Sequence, residues 1–465
     1  MEFKKLYLSL GAILLLSSCK GATLPANDLN HANTNKATYK ILINHDEGTI
    51  NFKETINLAL DQLRISNYNE WTYSLSYVQM PTSTLEEKQA YLAYIEDNNF
   101  DIFTSPNGFS EELVETNQVA ELTNYMANSC FATGASKAAY QYYENKIYTI
   151  PYKPLNYGVI YYNVDIFDKL NLSIPRTKNE FLNVCEQIKE YEASENSKLG
   201  EDDEPFELTP FASSVGGNIQ LTSMFLDGLA MSIDKNAPEK LQNKQINFSS
   251  GPYYEAIKFY NELLEKGYLD YDTSASGNNY STLMEALSNG RIAMMVGYSY
   301  DYRTFSENTY NASRVMYFPV LDNDISDYGA YLPSANRVLD GLMISSDVEN
   351  VETAVQLATT FSKAYGEFFY NFGDTRIPLF DPISNNWQRI SHQPFDGAEE
   401  VVNDAKNILS SFTDFFTRMD NSNYVATSLF QQMIYNYSFD KDNYDLNAII
   451  TEANNYLAEG NILRV

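Results

Sequence analysis

Tyr157-Gly158-Val159-Ile160-Tyr161-Tyr162-Asn163-Val164-Asp165-Ile166-Phe167 lies about a third of the way along a chain of 465 residues. Its β-branched and aromatic run, Val159 to Tyr162, suits a buried strand. Asn163 and Asp165 end that strand and can cap a following helix. Upstream, Pro151 and Pro154 stiffen the approach, because proline fixes φ and donates no backbone hydrogen bond. A buried strand with a rigid approach is expected to carry the chain from one lobe into a second.

Upstream of this strand, Thr38 to Asn44 alternates Tyr39, Ile41 and Ile43 around Leu42. Phe52, Ile56, Ala59 and Leu63 follow at helical spacing, then Trp71, Tyr73, Leu75 and Tyr77 alternate as a strand. A helix from Leu85 to Asp97 and a strand from Phe100 to Phe103 complete a β-α-β-α-β order. That order predicts a parallel sheet with right-handed crossovers. Ligands of such sheets sit beyond the carboxyl ends of the strands. Those ends are His45-Asp46-Glu47-Gly48 and Thr104-Ser105-Pro106-Asn107-Gly108, where loop solvation and turn chemistry are the competing roles.

Downstream, Thr177 and Glu180 have the spacing of a capping box. Cys185 falls on the apolar face of that helix with Phe181 and Ile188, which suits a buried inert thiol. Pairing with Cys130 is conceivable in an exported protein, although the two are placed in different lobes. Gly216-Gly217-Asn218 precedes an apolar helix whose first N–H groups could hold a ligand oxygen. Glu255 to Lys266 is amphipathic and Gly267 stands at its C′ position. A helix over 279–287, a strand over 292–297, and Tyr298, Tyr300, Asp301 and Tyr302 come next. Strands are expected over 315–321, broken by Pro319, and over 339–345, then a helix over 347–363. The last hundred residues read as mostly helical.

The formal net charge of −29 argues against nucleic acid, whose phosphates would find nothing to neutralise them. His31, His45 and His392 are the only histidines, and no nucleophile elbow, zinc helix or Cys–His pairing is present. The acidic run Glu201-Asp202-Asp203-Glu204 reads as a solvated loop, since consecutive acids cannot all face one ion. Asp440-Lys441-Asp442 lacks the glycine and closing acid of a calcium loop. No cofactor or metal is expected. The most specific local signal is at the start, where Lys4 and Lys5 precede an apolar run from Leu6 to Leu16 and then Ser17-Ser18-Cys19. This is the layout of a signal peptide, and it is too short to span a membrane. The small residues ending in Cys19 resemble a bacterial lipobox, which implies cleavage before Cys19 and acylation there. Residues 1–18 are thus the expected signal peptide and 19–37, rich in Asn, Ala and Thr, a flexible tether.

The composition is aromatic, with 37 Tyr and 26 Phe but 2 Trp. Most such rings build core. An aromatic site with neutral and acidic hydrogen-bonding groups still fits a neutral sugar better than a phosphate or an acid.

Together these marks resemble the extracellular solute-binding proteins of ABC importers, in the family that mainly carries sugars. The carriers are the opening stretch, Pro175 through Phe181, Leu264-Glu265-Lys266-Gly267-Tyr268, Asn289-Gly290-Arg291-Ile292-Ala293-Met294 and Asp340-Gly341-Leu342-Met343-Ile344. They occur in the family's order over residues 38–465. The resemblance implies an α/β, two-lobed periplasmic-binding-protein-like fold of class II type, each lobe a mostly parallel sheet flanked by helices. Residues 38–153 with 322–378 would form one lobe and 156–320 with 379–465 the other. It further implies a carbohydrate ligand between lobes that close about a hinge. Its partners would be the permease subunits and, through the lipid on Cys19, the outer face of the cell membrane. The receptor would be a monomer and not an enzyme.

The same resemblance places Asn156 as a polar ligand contact and puts Tyr298 and Tyr300 where many members have a stacking Trp. Tyr152, Asp301, Asp340 and Trp387 fall in similar regions. His45, Glu47, Ser105 and Asn107 in the first lobe and Asn218 in the second complete the expected contacts. Two other readings stay open on sequence alone. One is a surface lipoprotein using this fold as an adhesin or sensory partner, the other a secreted glycoside hydrolase with two carboxylates.

Overall fold

A computed structural model describes residues 36–44, 50–81, 85–106, 110–126, 143, 145–154, 156–200, 203–213, 219–269, 280–299, 301, 305–322, 325–329, 331–337, 340–371, 379–380, 385–387, 414–418, 429 and 432–459. The expected signal peptide, the tether up to residue 35, Cys130, Glu201 and Asp202 lie outside the described residues. The chain divides into two compact units. One comprises Met1–Pro154, Leu339–Phe372 and Pro378–Ser391, the other Leu155–Val338, Gly373–Ile377 and His392–Val465.

The first unit begins with β1 (Thr38–Asn44), α1 (Ile50–Ser66), β2 (Thr72–Val78), α2 (Leu85–Asn98) and β3 (Ile102–Thr104). β1 pairs in parallel with both β2 and β3, as the alternation of strands and helices requires. Its central place explains its composition. Tyr39, Ile41 and Ile43 are buried on one face and Leu42, fully buried, on the other. The edge of Tyr39 meets Trp71 with ring centroids 6.2 Å apart.

In the second unit the chain forms β4 (Gly158–Asn163), α3 (Val164–Leu170), α4 (Lys178–Asn196), β5 (Thr209–Ala212) and α5 (Ile219–Met231). Next come α6 (Pro252–Glu265), α7 (Tyr280–Ser288), β6 (Ile292–Tyr298), β7 (Ser313–Met316) and β8 (Tyr331–Arg337). The sheet order is β5-β6-β4-β7. Asn163 caps α3 as expected, its side chain accepting from the Ile166 N–H at 3.0 Å. Thr177 and Glu180 close the expected capping box. Gly267 follows α6 with φ +67°, a conformation that costs glycine little. Cys185 is buried without a disulfide.

Several local expectations change. β5 and β6 are parallel, but β4 is antiparallel to both β6 and β7, so this sheet is mixed. The β-α-β argument fixes direction only for strands joined by a crossover helix, and β4 enters along the stiffened segment instead. β7 stops at Met316, short of Pro319. The chain beyond it pairs outside the sheet, with Val320 accepting from Lys178 N–H at 2.8 Å and donating to the Arg176 carbonyl at 2.9 Å. Residues 322–338, expected with the first lobe, group with the second unit, because β8 pairs in parallel with β10 (Asp414–Arg418). Conversely residues 379–391, expected with the second lobe, group with the first unit, where Trp387 packs on α8.

Back in the first unit, β9 (Leu342–Ile344) is antiparallel to β3 and completes the order β2-β1-β3-β9. α8 (Val351–Asn371) starts later than expected, with Asn350 accepting from the Thr353 N–H at 3.0 Å. It packs along α1 and buries Ala354, Leu357, Ala358, Phe361 and Tyr365. α9 (Leu446–Glu459) belongs to the second unit, where Ile449, Ile450 and Ala453 join the main core. That core is aromatic at its centre. Phe318 fits into the space left by two glycines, since a Cβ on Gly228 would lie 2.2 Å and one on Gly158 2.8 Å from its ring. Among the described residues no helix is long and apolar enough to cross a membrane.

Candidate functional site

At the carboxyl edge of the first sheet, the ends of β1 and β3 are tied by side chains rather than by the ladder. Thr104 Oγ1 accepts from the Asn44 N–H at 2.9 Å and lies 2.6 Å from the Tyr91 hydroxyl. Tyr91 is fully buried, and burial pushes its hydroxyl well above the ordinary tyrosine range, so it stays a neutral hydrogen-bonding group. Asn44 exchanges two bonds with Met80, through Nδ2 to the carbonyl and from the N–H to Oδ1, both 2.9 Å. Ser105, half-buried, donates its N–H to the Gly341 carbonyl at 2.8 Å and accepts the Gly341 N–H on Oγ at 3.1 Å.

Gly341 is flanked on its other side by Ile150, which bonds Leu342 in both directions at 2.9 and 2.8 Å. The outgoing segment is then fixed to α8. The Tyr152 ring stands edge-on to Phe361 and Tyr365, with centroids 5.6 and 5.1 Å away, and the Pro151 carbonyl accepts from Ser362 Oγ at 2.6 Å. Tyr152 is therefore a core anchor, 2% exposed. Beside it Lys153 and Asp340 form a loose ion pair at 4.0 Å, both partly exposed, of the kind that contributes little to stability. Trp387 is buried against Gly366 and Phe380. Its ring serves packing here.

The second unit presents a comparable edge where β4 begins and β6 ends. Gly158 pairs with Tyr298, and just beyond the ladder Ser299 donates its N–H to the Tyr157 carbonyl at 2.9 Å. Ser299 Oγ accepts from the Tyr157 N–H at 3.3 Å and donates to Asn156 Oδ1 at 3.0 Å. Asn156 remains partly exposed. Tyr298 does not: its ring lies in the core, 3% exposed, and its carbonyl accepts from the Tyr161 hydroxyl at 2.6 Å. Asp301, equally buried, accepts the Tyr298 N–H on Oδ2 at 2.7 Å and so finishes β6. At the end of β5, Ser213 Oγ lies 2.7 Å from the buried Tyr260 hydroxyl. His45, Glu47, Asn107, Asn218 and Tyr300 lie outside the described residues, as does Cys19.

Among the described residues these edges offer hydroxyls, amides and one compensated ion pair, without a nucleophile–base arrangement. Among the described residues no group of His, Cys, Asp and Glu could hold a metal ion. A family model of the bacterial extracellular solute-binding proteins matches residues 65–364. The chain belongs to that family. A search of curated proteins returned no match.

Solved structures show the same fold for this solute-binding protein at low identity. One, from work on xylan utilization by the thermophilic bacterium Caldanaerobius polysaccharolyticus, is 18% identical with a TM-score of 0.61, covering 90% of this chain and 98% of that one. The solute receptor AcbH, with a substrate preference for β-D-galactopyranose, is 12% identical with a TM-score of 0.65, covering 91% and 99%. The sugar-binding protein MalE from Xanthomonas citri is 12% identical with a TM-score of 0.63, covering 91% and 98%. Sequence reasoning passed over Ser299 and Tyr91 in this solute-binding protein, and named Thr104 only as part of a strand-end loop. The signal for Ser299 was its position one residue past the end of β6, which is shared with ordinary turn residues. Tyr91 gave none, because it reaches Thr104 from a helix.

Proposed function

We propose that this solute-binding protein is a membrane-tethered receptor that binds a carbohydrate and delivers it to an ABC permease, without turnover. The observation that carries this reading is the character of the two sheet edges. Ser105, Asn156 and Ser299 are uncharged hydrogen-bonding groups, and the one charged pair among the described residues there, Lys153 with Asp340, is self-compensated. A polyol with many hydroxyls suits such edges, whereas an anion would meet no uncompensated cation among their described residues and an overall charge of −29. The galactopyranose named for AcbH and the sugar binding named for MalE support the same class.

The proposed contacts are His45, Glu47, Ser105, Asn107, Asp340, Asn156, Asn218 and Tyr300. Tyr152, Tyr298, Asp301 and Trp387 are buried and serve better as packed structural residues. The extracytoplasmic receptor is proposed to act as a monomer held by lipid on Cys19, with several acyl chains at about 0.8 kcal/mol per buried CH₂ giving a stable anchor. Thermal-shift screening should find neutral oligosaccharides among the stabilising ligands. A shift with peptides or polyamines and none with sugars would sink the substrate class. Cys19→Ser should move the protein from the membrane fraction to the soluble one, and continued membrane retention would contradict the anchor.

A further inference from the structure

We propose that the exit turn of α1 is a membrane-contact site, at which Ile65 and Tyr68 enter the interface of the bilayer that holds the chain's lipid and orient the first unit against it. The proposal rests on the lipid-anchor reading above and adds the face that meets the membrane. Single exposed apolar side chains need no explanation. Here Leu58 and Ile65, seven residues apart and so on one side of α1, are 52% and 61% exposed. Tyr68, just beyond them, is 87% exposed.

The turn holds Tyr68 in this position. Its N–H donates to the Ile65 carbonyl at 3.1 Å, and the Asn69 N–H donates to the Arg64 carbonyl at 3.0 Å, the double closure of a helix C-terminus. That closure needs a left-handed residue, ordinarily glycine or asparagine, and here Tyr68 takes it with φ +54°. A bulky ring in this conformation is strained, and at Tyr68 no burial compensates the strain. A ring with a polar tip suits the headgroup level of a bilayer, where tyrosine is enriched.

Chain geometry puts the turn beside the anchor. Thr38 and Thr72 begin neighbouring parallel strands with their Oγ1 atoms 2.8 Å apart, and the Thr72 N–H donates to the Ala37 carbonyl at 2.8 Å. Tyr68 lies four residues before Thr72, so it stands within about 20 Å of the point where the chain toward Cys19 leaves the fold. The seventeen steps from Lys36 back to Cys19 allow at most about 60 Å between fold and lipid. Within that reach a weak apolar contact is favoured by the high local concentration of membrane. Charge is mixed at this end: Arg64 and Asp61 pair at 3.2 Å, and Lys36 and Lys40 are exposed, as is Glu70. The contact is therefore apolar in character.

The acylated full-length chain is reconstituted in phosphatidylcholine–phosphatidylglycerol vesicles, with and without bromine on the phosphatidylcholine acyl chains. Tyr68→Trp and Ile65→Trp each add an indole, read against the unaltered chain, whose Trp71 and Trp387 are buried. Interfacial groups lie about 5–10 Å into the headgroup–acyl boundary, within reach of the bromine, so the added emission should fall several-fold. With Cys19→Ser as well, the chain should stay in solution and the added emission should be unquenched. Tyr68→Gly should unfold at the parent's denaturant midpoint or above it, because glycine relieves the positive φ. Vesicle-bound chain whose added emission is unquenched at either position would overturn the contact while leaving the anchor standing. A lower midpoint in Tyr68→Gly would assign the ring to the fold and also overturn it. Failure of the unaltered chain to float with the vesicles would overturn both readings.

Discussion

Gly341 lies so close to Ile150 that a Cβ built on it would stand 2.7 Å from the Ile150 carbonyl oxygen. The same carbonyl accepts the Leu342 N–H, while Gly341 is held from the opposite side by Ser105. Three segments therefore meet at one residue that cannot carry a side chain. Because the obstacle is backbone, it cannot swing aside. Gly341→Ala should lower stability by about 1–3 kcal/mol, read as a lower midpoint of chemical unfolding. A variant as stable as the parent would show that the three segments separate easily.

The capping box of α4 gives a second expectation. Thr177 Oγ1 accepts from the Glu180 N–H at 3.2 Å, and Glu180 Oε2 accepts the N–H groups of Thr177 and Arg176 at 3.3 and 2.7 Å. α4 carries Phe181, Cys185 and Ile188 into the core, so its first turn fixes where that apolar face begins. Thr177→Ala should cost about 1 kcal/mol in unfolding free energy, and Thr177→Ser should retain most of it. Equal losses in both variants would assign the effect to packing of the Thr177 methyl group.

Glu367 on α8 supplies a pH dependence. Burial holds its carboxyl above the ordinary value of 4.5, with Lys363 pulling weakly the other way. The folded state therefore keeps this proton to a higher pH than the unfolded state does. The contribution to stability is fully present below the ordinary carboxylate range and is lost as pH rises through the raised folded value. Glu367→Gln should be more stable than the parent at neutral pH, and the gain should shrink toward zero below pH 4.5. Thermal midpoints measured across that range check it. A gain independent of pH would mean that the charge is not responsible.

Much of this architecture is legible in the sequence because its signals are local. The alternation in Thr38–Asn44, the Asn163 cap, the Thr177–Glu180 box and the glycine after α6 each act over a few residues, and each appears where read. What is not legible depends on partners distant in sequence. The antiparallel placing of β4 and the pairing of β8 with β10 join segments far apart in the chain, whose direction no local signal fixes. At the site the same division holds. Asn156 and Ser105 stand at strand ends, where ligands are expected. Tyr298, Asp301 and Trp387 look alike by residue type, but the structure uses them to end a strand and fill cores. Ser299 acquires its interest only through a bond to a residue 143 positions earlier.

The central claim is that uncharged hydrogen-bonding groups at these strand ends bind a carbohydrate. Titration calorimetry of the full-length chain against neutral mono- and oligosaccharides, with Asn156→Ala as control, tests it most directly. A saturable heat with at least one sugar, weakened about tenfold by the substitution, is the predicted result. Saturable binding of peptides or polyamines with no response to any sugar would contradict it.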